Sequence, residues 1–143
     1  MSTKEHSHER IEEAREALRD AARAAQQNAW APYSRFRVGA AVLTGSGSIH
    51  VGCNMENASY GGTVCAERNA VAAAIVAGER ELLAVAVATD TEVPSTPCGF
   101  CRQVLREFGR SMVVDCYGKD DAHRRFLLEE LLPESFGPEN LDP

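Results

Sequence analysis

Between Glu9 and Asn28, apolar and small residues recur at steps of three and four, at Ile11, Ala14, Leu18, Ala21 and Ala25, with charged residues between them. This spacing predicts an amphipathic helix over 9–28, preceded by a flexible start over residues 1–8. Phe36–Leu43 and Ser48–Asn54 read as two strands, and the intervening Thr44-Gly45-Ser46-Gly47 joins them as a hairpin. Alanine-rich Cys65–Ala77, stopped by Gly78, predicts a second helix. Leu82–Thr89 is continuously apolar, the pattern of a strand buried on both faces.

After a loop carrying Pro94 and Pro97, Cys98–Phe108 predicts a third helix ending at Gly109, and Met112–Tyr117 another apolar strand. Phe126–Leu132 reads as a short strand or helical turn stopped by Pro133, and 134–143 as an irregular tail. Strand and helix therefore alternate from residue 48 to residue 117, which predicts an α/β class with parallel strands, right-handed crossovers and helices covering the sheet.

Length and composition narrow this picture. A chain of 143 residues, 44% hydrophobic, buries one core, so residues 1–143 are expected to form a single domain. The sequence has no long apolar run, and its start is polar, which predicts a soluble cytoplasmic protein without a membrane partner. The formal charge of -6 disfavours a polyphosphate partner, and no basic stripe overrides it. Arg35, Arg37, Arg106, Arg110, Arg124 and Arg125 have acidic neighbours such as Glu107, Asp120 and Asp121. A small, weakly charged ligand fits better than a nucleic acid polymer.

The chemistry is carried by thiols. The five cysteines are Cys53, Cys65, Cys98, Cys101 and Cys116, an odd number that argues against a disulfide framework. Cys98 and Cys101 stand at i and i+3 in Pro97-Cys98-Gly99-Phe100-Cys101, on one face of a first helical turn. That spacing alone serves a redox pair as well as a metal. Cys65 shifts the balance, because it opens the preceding helix and so reaches the same end of the sheet, where open α/β sheets bind ligands. Helix N-termini favour thiolates, and three thiolates select a tetrahedral ion, zinc being the expected one. Cys53, Cys116 and His123 compete for a fourth position; if one of them fills it, the site is closed and structural. Glu67, two residues after Cys65, gives such an ion a neighbouring proton shuttle, or else it complements the helix dipole.

These pieces resemble, in order and along nearly the whole chain, the small homotetrameric cytidine deaminases. The resemblance rests on Phe36-Arg37-Val38-Gly39-Ala40, on Gly52-Cys53-Asn54-Met55-Glu56-Asn57-Ala58, on Cys65-Ala66-Glu67-Arg68, on Pro97-Cys98-Gly99-Phe100-Cys101-Arg102-Gln103 and on Leu131-Leu132-Pro133-Glu134-Ser135-Phe136. Ligand-x-Glu followed by P-C-x-x-C is the signature of the wider zinc-deaminase group. The resemblance implies a three-layer α/β/α sandwich with a mixed sheet of about five strands, one Zn2+ per subunit on Cys65, Cys98 and Cys101, and hydrolysis of cytidine and 2′-deoxycytidine to uridine and 2′-deoxyuridine in pyrimidine salvage. Glu67 would take a proton from the attacking water and pass protons to N3 and the departing amine, and Arg68 would draw electron density from the thiolates. Among the substrate contacts it implies, Asn54 and Glu56 hold the ribose 3′-hydroxyl, Tyr60 touches the sugar, the Ala66 N–H holds the pyrimidine O2 and Phe36 packs on the base. Phe136 reaches the base of a neighbouring subunit, in a homotetramer with shared active sites.

Some positions depart from the family pattern. Arg37 stands where proline is frequent, and Gly61-Gly62-Thr63 lies in a variable loop bordering the site, so the preference among nucleosides stays open. A blasticidin-type deaminase shares the zinc core, but the N-x-E and S-F-G-P elements favour a nucleoside enzyme. The rivals from other classes are a polynucleotide-editing deaminase, which needs a basic groove, and a non-enzymatic zinc module, for which Glu67 is incidental.

Overall fold

A computed structural model describes residues 2–141; the ends of the expected 1–143 domain, Met1, Asp142 and Pro143, lie outside the described residues. Helix α1 spans Thr3–Gln26, six residues longer at its start than the apolar spacing predicts. The expected flexible start is helical from residue 3, because Ser2 and Glu5 form a capping box: Ser2 N donates to Glu5 Oε2 (2.7 Å) and Glu5 N to Ser2 Oγ (3.2 Å). Strands β1 (Gly39–Thr44) and β2 (Ile49–Cys53) form the expected hairpin. Phe36 and Arg37 lie ahead of β1, since side chains and not a neighbouring strand take their carbonyls: Asn54 Nδ2 donates to Phe36 O (2.7 Å) and Gln26 Nε2 to Arg37 O (3.1 Å).

Helix α2 (Ala66–Val76), strand β3 (Leu82–Ala88), helix α3 (Gly99–Phe108) and strand β4 (Val113–Tyr117) follow where the pattern puts them. The last expected element divides in two: β5 is His123–Leu127, and α4 is the single turn Leu128–Leu131. Polar His123, Arg124 and Arg125 conceal β5 from an apolar scan, yet Asp115 and Arg125 are direct cross-strand partners.

The sheet order is β2-β1-β3-β4-β5. β3 and β4 pair in parallel, and every other neighbouring pair is antiparallel. The alternating helices do leave β2, β3 and β4 running in one direction, but β1 sits between β2 and β3, so the sheet is mixed.

Side chains alternate across this sheet and make two cores. Ala40, Val42, Val85, Val87, Val114 and Cys116 meet Ala70, Val71 and Leu105 of α2 and α3. Ala41, Leu43, Ala84, Ala86 and Ala88 meet Ile11, Leu18 and Ala22 of α1. The result is a three-layer α/β/α sandwich. Small residues set its spacing where it matters for the site: a Cβ on Gly52 of β2 would stand 2.5 Å from Ala66 O and 2.4 Å from Ala70 N. Backbone therefore lies directly on backbone there, and the first turn of α2 is held against the hairpin.

The face under α1 carries a charged lock. Buried Asp115 accepts from Arg125 Nε (2.8 Å) and Nη2 (2.9 Å) and pairs with His123 Nε2 (2.7 Å). Arg125 also pairs with Glu12, and Arg15 Nη2 approaches His123 Nδ1 (3.2 Å), so α1 is tied across β4 and β5. Burial alone would raise the Asp115 carboxyl, but the Arg125 hydrogen bonds, with His123, outweigh it and hold it below its ordinary range.

Candidate metal and substrate site

Cys65 and Cys98 are the N-cap residues of α2 and α3. Both have extended backbones and neither spends its side chain on a cap, so both sulfurs are left available to a ligand. The Cys65, Cys98 and Cys101 sulfurs lie within 4.8 Å of one another, with Cys65 and Cys98 3.9 Å apart. Tetrahedral coordination with Zn–S of about 2.3 Å puts sulfurs about 3.8 Å apart. Both the spacing and the soft donor set therefore fit zinc.

No fourth protein ligand joins the cluster among the described residues. Cys116 is packed in the core between the sheet and α2/α3, where burial pushes its thiol up to about 12. His123 is engaged by Asp115 under α1, and Cys53 stands apart from the three-thiol group. An ion held by three protein ligands keeps a position for water or substrate, the arrangement of a catalytic rather than a structural zinc.

The thiols are electrostatically unequal. A hydrogen bond from Cys101, followed by contributions from Arg68 and Cys98, draws the Cys65 thiol down to about 5 against the penalty of burial. The Cys101 thiol is pushed up, chiefly by that same contact with Cys65 and by burial. Arg68 Nη2 lies 3.6 Å from Cys65 Sγ, its guanidinium stacks 4.2 Å from the centre of the Phe100 ring, and its buried Nε has no acceptor. A cation thus leans on the thiolate cluster where its charge is needed.

Glu67 is 5% exposed. Burial raises its carboxyl to about 7, with the nearby Cys65 charge pushing the same way. A carboxyl titrating near neutrality suits both the acceptance and the return of a proton.

A cleft of about 280 Å³ opens beside the thiols and brings together Phe36, Asn54, Glu56, Cys65, Ala66, Glu67 and Cys98 from distant stretches of chain. Asn54 clamps the lead into β1, its Oδ1 accepting from Val38 N (2.9 Å) while Nδ2 holds Phe36 O. Glu56 accepts from Tyr33 N (2.9 Å), Ser34 N (3.0 Å) and the Ser34 hydroxyl, which together hold its carboxyl low. Thr63, of the loop expected to border the site, lines the cleft, as do Ser34, Val38, Val87, Thr89, Ser95 and Thr96, which sequence reasoning missed. The local sequence of the last group carries no signal for the site: Thr89 reads as the end of a buried strand and Thr96 as part of a proline-containing loop, and it is the sheet order that brings both to the thiols.

Two predicted contacts lie elsewhere. Tyr60 is in an adjoining depression with Tyr33, Ser34, Glu56 and Thr63, its ring 5.8 Å from that of Tyr33. Phe136 is outside the cleft altogether, beside Gln103 and Glu107 of α3, and 57% exposed.

Comparison with known proteins meets this geometry. Residues 12–116 match the model of the cytidine and deoxycytidylate deaminase zinc-binding region. The chain is 45% identical over 118 residues to a cytidine deaminase of Sporosarcina psychrophila, covering 82% of this chain and 87% of that one. A cytidine deaminase of Mycobacterium tuberculosis is 44% identical over 124 residues, covering 87% and 90%. The crystal structure of the Burkholderia pseudomallei cytidine deaminase superposes with a TM-score of 0.81 at 45% identity, covering 85% of this chain and 98% of that chain. The matched stretch contains all three clustered thiols and Glu67, and the chain belongs to the zinc-dependent cytidine deaminase family.

Proposed function

We propose that this member of the family hydrolyses the C4 amino group of cytidine and 2′-deoxycytidine, releasing ammonia and the uracil nucleoside. One observation carries the reading: buried Glu67, with its carboxyl raised to about 7, shares a cleft with the zinc-type thiol cluster and with Asn54 and Glu56. When held by Cys65, Cys98 and Cys101, zinc supplies the electrophilic centre that makes water nucleophilic near neutral pH.

The chain's own groups do the rest. Glu67 takes one proton from the attacking water and passes it to N3 of the ring; it then takes the proton of the new C4 hydroxyl and delivers it to the amine, so that the C4–N bond breaks as the C4 carbonyl forms and ammonia leaves. Ala66 is the first residue of α2, so its N–H has no helical acceptor and is free for the pyrimidine O2. Phe36 packs against the base. Asn54 keeps one N–H beyond its bond to Phe36 O, and Glu56 keeps acceptor capacity beyond Ser34 and Tyr33; together they hold the ribose 3′-hydroxyl. That contact is common to both sugars and is lost with free cytosine, which leaves the polar pair unmatched. Arg68 offsets the charge of three thiolates.

The whole chain acts as one domain. Exposed Trp30, Tyr33, Tyr60 and Phe136 favour subunit contacts, in keeping with a homotetramer whose Phe136 completes a neighbour's site and whose Tyr60 lies near the sugar. No described helix is long and apolar enough to cross a membrane, which fits a cytoplasmic role in pyrimidine salvage. The test is turnover of cytidine, 2′-deoxycytidine and cytosine, followed by ultraviolet absorbance and ammonia release. Both nucleosides should turn over and the free base should not; inert nucleosides with a zinc-loaded protein would overturn the reading.

A further inference from the structure

We infer that Arg106 is a positioning residue that aims Phe136, an inference resting on the reading that Phe136 completes a neighbour's site. Arg106 projects from α3 and is only 6% exposed. Its Nε donates to Ser135 Oγ (2.8 Å), and its Nη2 pairs with Glu139. Between these two contacts, buried Gly137 lies flat against the guanidinium: a Cβ there would stand 2.5 Å from Cζ, 2.5 Å from Nη2 and 2.6 Å from Nη1. Gly137 has φ -151, an ordinary backbone, so it is the missing side chain that lets the guanidinium lie there, and a Cβ would push it aside.

Ser135, Gly137 and Glu139 thus meet one planar cation, while Phe136, between them, is left outward-facing. Gln103 Nε2, one turn earlier on α3, fixes the Phe136 carbonyl (3.0 Å). The clamp thus uses alternate residues of the Ser135-Phe136-Gly137-Pro138-Glu139 stretch and leaves the aromatic between them free. It also gives α3 two tasks: its start carries Cys98 and Cys101, and its last turn sets the arm bearing the aromatic. Lysine at position 106 would keep the charge for Glu139 but lose both the Nε donor and the flat face on which Gly137 rests.

The experiment compares Arg106→Met, Arg106→Lys, Gly137→Ala, Phe136→Ala and the double variant Arg106→Met/Phe136→Ala as zinc-loaded enzymes. KM and kcat for cytidine are measured together with deuterium uptake over residues 133–141. Phe136→Ala should raise KM about tenfold or more. Arg106→Met and Gly137→Ala should reproduce that rise with kcat within about threefold, faster exchange over 133–141 and unchanged zinc, and Arg106→Lys should not rescue. The double variant should have the KM of Phe136→Ala alone, because the arginine acts through the ring. If Phe136→Ala raises KM while Arg106→Met and Gly137→Ala do not, or if the double variant is additive, the positioning role is overturned. Unchanged KM in Phe136→Ala overturns the reading of Phe136 itself, and the Arg106 role with it. Gly137→Ala keeps the test decisive should Arg106→Met fail to fold.

Discussion

Two buried carboxylates on opposite faces of the sheet behave in opposite ways. Asp115, under α1, is 2% exposed, and Glu67, at the start of α2, is 5% exposed. Desolvation pushes both upward, yet Asp115 is held below its ordinary range while Glu67 rises to about 7. The difference lies in their neighbours. Asp115 has a bidentate arginine and a histidine, whereas Glu67 sits beside thiols, one of which, Cys65, carries charge of its own sign. Burial fixes the stakes for a carboxyl, and its partners decide which protonation state survives. One face thereby gains a fixed anion that holds α1 in place, and the other a group able to change protonation during a reaction.

The sharpest break of this contrast is at the thiols. Cys98→Ala should lose zinc and all measurable deamination, which metal analysis and a turnover assay would reveal together. Zinc retained at wild-type stoichiometry would remove Cys98 from the ligand set. Next in size, Glu67→Gln should keep its zinc and lose at least about 10²-fold in kcat. Its thermal midpoint at pH 8 should equal or exceed that of wild type, since the amide has no charge to desolvate. Near-normal turnover would end the assignment of Glu67 to proton transfer.

Asp115→Asn should act in the opposite sense, lowering stability at neutral pH by about 2–3 kcal/mol. This falls below the range for a fully buried pair because Arg125 keeps Glu12 and some solvent. A carboxyl depressed in the folded state stabilises above its unfolded pKa of about 3.9, and that contribution disappears as pH falls through the lower folded value. The gap between wild type and Asp115→Asn in urea melts should therefore be full at neutral pH and close below about pH 4. A gap independent of pH would mean that the lock works by packing. Smallest of all, Cys116→Ser should cost about 1–3 kcal/mol by placing a hydroxyl in an apolar core, with zinc content and kcat unaltered. Loss of zinc from this variant would make Cys116 a ligand.

Much of this was legible in the chain. Strands and helices from residue 39 to residue 117 follow from period and from glycine stops, and the thiols with Glu67 follow from C-x-E and P-C-x-x-C. The misreadings share a cause: apolar periodicity cannot detect elements held by polar contacts. The first turn of α1 stands on a Ser2–Glu5 box, and β5 pairs through Arg125 and Asp115. Thr89 and Thr96 enter the cleft only once the sheet order is known, and that order inserts β1 where consecutive crossovers suggested direct neighbours. Asn54 was readable as a polar strand end, but its clamp on Phe36 and Val38 is a tertiary fact.

The short gap between the Cys65 and Cys98 sulfurs, 3.9 Å with Cys98 exposed, has a practical side for anyone handling the protein. Stripped of metal in air, it presents two adjacent thiols, one already inclined to thiolate, to dissolved oxygen or peroxide. Their two-electron oxidation would tie the starts of two helices together and consume the ligands themselves. Chelator-treated stocks should therefore be kept under reductant, and zinc returned only after the thiols have been regenerated, or a preparation will look inactive for reasons of storage.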